Sequence, residues 1–456
     1  MTSLWALVVF FVGLLVLLLG IIRFKMNAGT MMLIASIVAG VLLGMPMSDM
    51  VSTITSGFGN MMASLGIVVG LGAILGGILS ESGATDQLAY GLLKKIGSKN
   101  ATLALNLAGF AISIPVFMGP AYIVLNPLCT TISKFTKRSV IGYTTALVVG
   151  LMVTHCLVIP TPGPLAVGGS LGVNMGWFIL YALLVSIPVS LIGGWLFGEK
   201  LLKKHSPSSV QTGPEQDKAI LATIEADMPK EHPSVATAFS LILLPIVLIL
   251  VATVLPSLIP LDAVSNICAL LTGGNGVVSL LISVMVAWFA LKKYIHSTPG
   301  KVFGDSLNGV GDIFMILGAS GSFGAIISAS GIDQMIISLT DTLSIPILVM
   351  AFIIACLLKA ALGSSATALV TTASIIGPVV LSMGANGVLT AIAICLGGLF
   401  LPLPTDGAFW QVKEYNGLSM KQTFASYTTG CTIACLVGFV FLLILNLFSG
   451  VLPGLH

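Results

Sequence analysis

The segment GGILSESGATDQL at 76–88 returns as GAIISASGIDQM at 324–335, one residue shorter. PTPGP at 160–164 has a counterpart in PTDGA at 404–408. These pairs lie about 248 and 244 residues apart in a chain of 456, so each separation is roughly half the length. Each half also carries a Gly/Ser/Pro break inside an apolar stretch, PVFMGP at 115–120 and LGSSAT at 362–367. A fold that satisfies this pattern consists of two copies of one plan, interrupted at matching places.

What surrounds the breaks identifies the solvent. Hydrophobic residues make up 56% of the chain and charged ones 8%, with a mean hydropathy of +1.09. A water-soluble chain of this length has no use for so much apolar surface, so the lipid bilayer is its first partner. The 51 glycines fit membrane helices, where small residues permit close packing. Seven cysteines, at 129, 156, 268, 356, 395, 431 and 435, lie in apolar stretches without CxxC spacing or a histidine cluster. They read as small core hydrophobes, and neither a metal nor a cofactor is expected. No basic cluster with interleaved aromatics points to nucleic acid. The apolar run 3–22 has its positive charge after it, at Arg23 and Lys25, which reads as a retained first helix.

Orientation follows from lysine and arginine, which concentrate on the cytoplasmic side. With Arg23 and Lys25 inside, Lys94, Lys95, Lys99, Lys134, Lys137 and Arg138 fall inside too. Both ends of 101–133 are then inside, so that segment enters the membrane and turns back at PVFMGP. Lys200 to Lys230, Lys292, Lys293, Lys301, Lys413 and Lys421 also fall inside, and 345–383 becomes a second hairpin entering from the opposite face. Of 19 basic residues only Lys359 is left in the membrane. The expected fold is an all-α polytopic membrane protein of two inverted-topology repeats. Each repeat has about five spanning helices plus one re-entrant hairpin, with broken helices at the midplane. Residues 1–198 form the N-terminal repeat, with hairpin 101–133 and broken helix 139–173. Residues 236–456 form the C-terminal one, with hairpin 345–383 and broken helix 387–413. The hydrophilic stretch 199–235 joins them as a mobile cytoplasmic linker, and both termini lie on the periplasmic or extracellular side.

Irregular backbone at membrane depth is tolerated only when buried in protein or lining a wet cavity. The two hairpin tips and the two interruptions, at 160–164 and 402–407, each expose a helix N-terminus. Its free N–H groups and dipole favour negative charge. Pro120 and Pro164 suit first-turn positions, and Gly363, Ser364, Ser365 and Thr405 suit caps. Four such ends converging would hold a small carboxylate, as in a secondary transporter. Packing kinks without a ligand are the bland alternative. The candidate substrate-binding residues are Gly119, Thr161, Gly163, Gly363, Ser364, Ser365, Thr405, Asp406 and Gly407.

Charged residues at this depth are few and informative. Asp406 can take a proton, bind a cation or contact a substrate hydroxyl, or else cap a helix facing water. Lys359 can offset a bound carboxylate or an acidic neighbour. His155 is the second coupling candidate, or a satisfied core histidine. Glu81, Asp86, Asp333 and Asp341 flank the repeated corners and read as interfacial; Asp312 is ambiguous. GLGAILGG at 70–77 and GASGSFGA at 318–325 lie within apolar helices and read as close helix contacts rather than phosphate loops.

GAILGGILSESGATDQL (72–88), the PVF-containing hairpin, THCLVIPTPGPLAV (154–167), KAALGSSATAL (359–369) and DGAFWQVKEYNGLSMKQT (406–423) resemble the gluconate permease family over nearly the whole chain. That family consists of bacterial inner-membrane symporters for gluconate and related small hydroxy- or amino-acid anions, including D-serine. The resemblance implies proton-coupled uptake, an inner-membrane location, and a place in a wider ion-transporter superfamily. Members of that superfamily pair a scaffold with a moving transport domain, often as homodimers working by an elevator motion. The chain departs from the family pattern at the breaks. Gly119 stands where the family usually has an acid, and Thr161 where it usually has a second histidine. The pattern NDSGFW reads Thr405 to Trp410 here, and Lys359 replaces the family arginine, while Asp406 and His155 match. Losing the acid at 119 points to a smaller, less hydroxylated anion, such as a short hydroxy acid.

The expected function is secondary active import of a small organic anion, a hydroxy or sugar acid, coupled to H+ or alternatively Na+. No enzymatic activity is expected. A cation/proton antiporter on the same architecture would need more midplane acids than Asp406. An intramembrane enzyme would need a facing nucleophile and base, and His155 and Cys156, adjacent on a helix, do not face each other.

Overall fold

Asn and Ser residues at the edges of the apolar runs set where many of the helices begin. Asn27, Ser139, Asn174, Ser234 and Asn386 each accept a hydrogen bond from a backbone N–H two or three residues on, satisfying donors that a helix start leaves free. The computed structural model describes residues 3–206, 212–228, 231–259, 261–329, 346–383, 385–404 and 406–455, and no strand occurs among them. The first half contains α1 (Ser3–Ile22), α2 (Ala28–Leu42), α3 (Met47–Glu81), α4 (Ala84–Ile96), α5 (Ala101–Ile112), α6 (Met118–Thr136), α7 (Val140–Leu157), α8 (Pro162–Ser170) and α9 (Met175–His205). After α10 (Pro214–Asp227) follow α11 (Val235–Leu258), α12 (Asp262–Leu291), α13 (Pro299–Asn308) and α14 (Gly311–Ala329). The chain ends with α15 (Ile347–Leu362), α16 (Ser365–Met383), α17 (Gly387–Gly397), α18 (Gly407–Tyr415) and α19 (Met420–Leu447). Helices α9 and α19 each contain a π turn, at Leu191–Leu196 and Phe424–Thr428.

Among the described residues, six spans are long and apolar enough to cross a membrane, or up to eight if two bent pairs each count as one. The bends are 42° within α3 and 47° between α13 and α14. Helices α2, α15 and α17, with 15, 16 and 11 residues, fall short of the roughly 20 that a spanning helix needs.

Glycine permits a close helix approach within the run at 318–325. α3 meets α14 at Gly57 and Gly321, and a Cβ on either would stand 2.5 or 2.3 Å from the other's carbonyl oxygen. The α5–α6 pair is fastened through the fully buried Asn106. Its amide donates to the carbonyl of Ala146 on α7 at 2.9 Å and accepts from Ser190 on α9 at 3.2 Å.

The stretch 199–235 contains the end of α9 and the whole of α10. Its described residues are largely helical and docked. Asp217 accepts from the backbone N–H of Ser98 at 2.7 Å, Glu225 from Tyr90 at 3.4 Å, and Glu199 pairs with Arg138 at 3.0 Å. These acids thus find specific partners between α4 and α7. Likewise Glu81 accepts from Ser297 at 2.8 Å and Asp312 from Asn27 at 3.3 Å. Asp333, Asp341 and the end of the second repeated segment lie outside the described residues.

Candidate functional site

Four helix N-termini sit at the breaks, each produced by local chemistry. After α5 the chain turns through Ser113–Phe117, and extended Phe117 starts α6 with Pro120 in its first turn. Thr154 on α7 donates to the carbonyl of Phe110 at 2.8 Å and holds this tip in place. After α15, Gly363 adopts φ +77°, a conformation open to glycine, and lets the chain reverse. Ser364 then caps α16, its hydroxyl oxygen accepting from the Thr367 N–H at 3.3 Å. Between α7 and α8 the break is made by Val158–Thr161, with a cis Ile159–Pro160 bond and Pro162 at the first helical position. Between α17 and α18 the chain is non-helical from Gly398 to Asp406 apart from Thr405, which lies outside the described residues.

The second interruption is held from α19. Thr428 donates to the carbonyl of Pro402 at 2.5 Å, and Thr432 accepts from the N–H of Leu401 at 3.2 Å. Tyr427, in the π turn, donates to Asp406 Oδ2 at 3.0 Å. A π turn adds a residue and so redirects the side chains after it.

Asp406 uses both carboxylate oxygens. Oδ1 accepts from the N–H of Ala408 at 2.9 Å, making Asp406 the N-cap of α18. Oδ2 accepts from Tyr427 and from Lys359 Nζ, the latter at 2.6 Å. Lys359 is fully buried, Asp406 is 7% exposed, and the lysine also donates to the carbonyl of Gly363. Removing either ion alone would leave an uncompensated buried charge, whereas the pair together is neutral.

Beside this pair lies a cavity of about 340 Å³, within the usual size of a small-molecule site. The N-termini of α6, α16 and α18 open onto it through Met118 and Gly119, Ser364 to Ala366, and Gly407 and Ala408. Asp406, His155 and Gln411 complete its polar lining. The buried Nδ1 of His155 has no partner among the described residues, and its ring meets Phe117 edge-on at 6.5 Å. A second cavity of about 370 Å³, lined by Glu81, Lys301 and Asp305 among others, shares Phe117 as a wall.

Of the residues singled out in the sequence, Gly119, Ser364, Ser365, Asp406, Gly407 and His155 line one cavity. Thr161, Gly163 and Gly363 do not. Thr161 turns its hydroxyl back to the carbonyl of Val158 at 2.5 Å. A Cβ on Gly163 would meet Leu369 at 2.8 Å, so the start of α8 packs against α16. The carbonyl of Gly363 accepts from Lys359. The cap of α18 is Asp406, not Thr405. Two residues were missed. Tyr427 carried one signal, a phenol within the apolar span of α19. Gln411 lies four residues after Gly407, on the same helix face.

Comparison with known proteins agrees with this architecture. The GntP family permease profile matches residues 5–448. The gluconate permease of Bacillus subtilis (strain 168) is 31% identical over 448 residues, covering 97% of this chain and 99% of that protein. The D-serine transporter DsdX of Escherichia coli (strain K12) is 32% identical over 446 residues, covering 96% and 97%. Among solved structures, the Alcanivorax borkumensis YdaH transporter aligns with a TM-score of 0.64 at 16% identity, over 88% of this chain and 89% of that one. MtrF of Neisseria gonorrhoeae aligns with a TM-score of 0.59 at 14% identity, over 87% and 84%. These two likenesses concern the fold alone. The match along nearly the full sequence identifies the chain as a member of the GntP family of permeases.

Proposed function

We propose that this protein is a secondary active transporter that imports a small organic anion across the bacterial inner membrane together with a proton, by alternating access. The reading is carried by one observation: three helix N-termini meet at a cavity lined by Asp406, whose carboxylate is paired with the fully buried Lys359. Free N–H groups at these ends suit a carboxylate. The relatives named for gluconate and D-serine both handle small carboxylates.

The pair supplies a rule for coupling. With Asp406 ionised the site is neutral and moves empty. Protonation of Asp406 leaves Lys359 as an uncompensated cation, which then attracts the substrate carboxylate. The loaded site, with one proton and one anion, is neutral again. Half-loaded states carry a charge, and moving a charge through the bilayer is costly. Only the empty and fully loaded forms therefore reorient.

On this reading α5–α6 and α15–α16 are re-entrant hairpins entering from opposite faces, and residues 1–198 and 236–456 are inverted repeats. The stretch 199–235 faces the cytoplasm and both termini lie outside. The hairpins move with the broken helices against the remaining spans, in an elevator motion within a homodimer.

The test is uptake into proteoliposomes of labelled gluconate, glycerate, D-serine, lactate and 3-hydroxybutyrate, under an imposed proton gradient, a sodium gradient or neither. Accumulation of an anion driven by ΔpH is the expected result. Accumulation with sodium only would overturn the proton rule, and no uptake under any gradient would overturn the transport reading.

A further inference from the structure

Gln411 is a polar group of the cavity that the coupling scheme does not use. It is half-buried on α18 and projects from the face that carries Gly407 at the helix start. Its carboxamide lies over Gly119. A Cβ built on that glycine would stand 3.5 Å from both Nε2 and Oε1. Among the described residues the carboxamide of Gln411 makes no hydrogen bond, which leaves its two donor hydrogens and its acceptor oxygen available to a ligand.

We propose that Gln411 is the specificity-determining residue of this site, reading a hydroxyl on the carbon chain of the bound carboxylate. This deepens the transport reading and rests on it. The chemistry is that of a hydroxyl, which is both donor and acceptor and so pairs with both ends of an amide. The first turns of α6, α16 and α18 take the carboxylate, and a hydroxyl a few bonds away reaches the amide on the same wall. Gly119 is the counterpart of this role. With no side chain there, nothing covers the amide, whereas Asn or Asp at 119 would occupy it. His155, with its buried Nδ1 unpaired, stands on the same lining and offers a further partner to the same substituent. The ligand class is thus a short hydroxy monocarboxylate, preferred over its deoxy analogue.

The experiment measures uptake of 3-hydroxybutyrate and butyrate, each competed by the other, in proteoliposomes of the full chain and of Gln411→Leu. The full chain should prefer the hydroxy acid. The preference should fall by about tenfold in Gln411→Leu, a smaller factor than a fully enclosed hydroxyl site gives, because the amide is half-buried. Butyrate transport by the variant reports that it is folded. An unchanged preference with both acids still transported overturns the proposal. Should Gln411→Leu be inactive, Gly119→Asn fills the same amide from the opposite wall. The same fall is expected there, and an unchanged preference is again decisive against the proposal. A full chain that transports both acids equally refutes this inference alone. One that transports no carboxylate refutes the transport reading beneath it.

Discussion

Between α7 and α8 the helix is interrupted over Val158–Thr161 by prolines and a cis Ile159–Pro160 bond, and the one hydroxyl in that break bonds back to Val158. Between α17 and α18 a longer interruption is tied to α19 by Thr428 and Thr432 and ends at Asp406, which holds Lys359, Tyr427 and the start of α18. The backbone consequence is the same, a helix N-terminus freed deep in the protein. The charge is not. The first break carries no ionisable residue, and the start of α8 is packed against α16. The second carries an ion pair enclosed by its own framework. Proline is enough to end a helix, but a buried charge needs partners, and these had to be assembled from three elements. Coupling chemistry on our reading is therefore confined to the second half, while the first half contributes shape, His155 and the bare wall at Gly119.

Variants can break this contrast, beginning with the largest effect. Lys359→Met strands the Asp406 carboxylate. Stability in detergent should fall by about 3–5 kcal/mol, with loss of uptake. Adding Asp406→Leu to it should recover much of the stability and none of the uptake. A single Lys359→Met variant that melts like the parent would mean that the pair is not what holds the second break together. Asp406→Asn keeps the cap and the size but fixes the protonated charge. Accumulation driven by ΔpH should drop at least about tenfold, equivalent to about 1.4 kcal/mol, while exchange of substrate across the membrane persists. Equal loss of both would make Asp406 a binding residue instead. Tyr427→Phe removes one hydrogen bond to a carboxylate, and a fall of about 1.5–3 kcal/mol in unfolding free energy is expected. No change there would show that the π turn does not brace the pair. Thr161→Val, in the first break, is the control from the other half. It should cost about 0.5–1.5 kcal/mol and leave ΔpH-driven accumulation in place. Loss of accumulation would place coupling chemistry in both halves and end the contrast.

The apolar spans, the four breaks and family membership were legible in the chain because they are local. A proline, a glycine or a capping serine acts on the residues within one turn of it. Asp406 and Lys359 stood out for the same reason, as charges in apolar surroundings. The same local signals also require that four helix ends be freed. The sequence had no means of separating them, since Thr161 before α8 and Phe117 before α6 look alike as proline-edged starts. The tertiary structure decided that three of the ends share a cavity and that the fourth is packed away. It also decided that Lys359 meets an acid 47 residues on, that a π turn brings Tyr427 to that acid, and that Gln411 faces Gly119. Helix periodicity and caps are set within a few residues, whereas these contacts depend on how separate helices dock. Docking is governed by packing across the whole core, which no short stretch of sequence encodes.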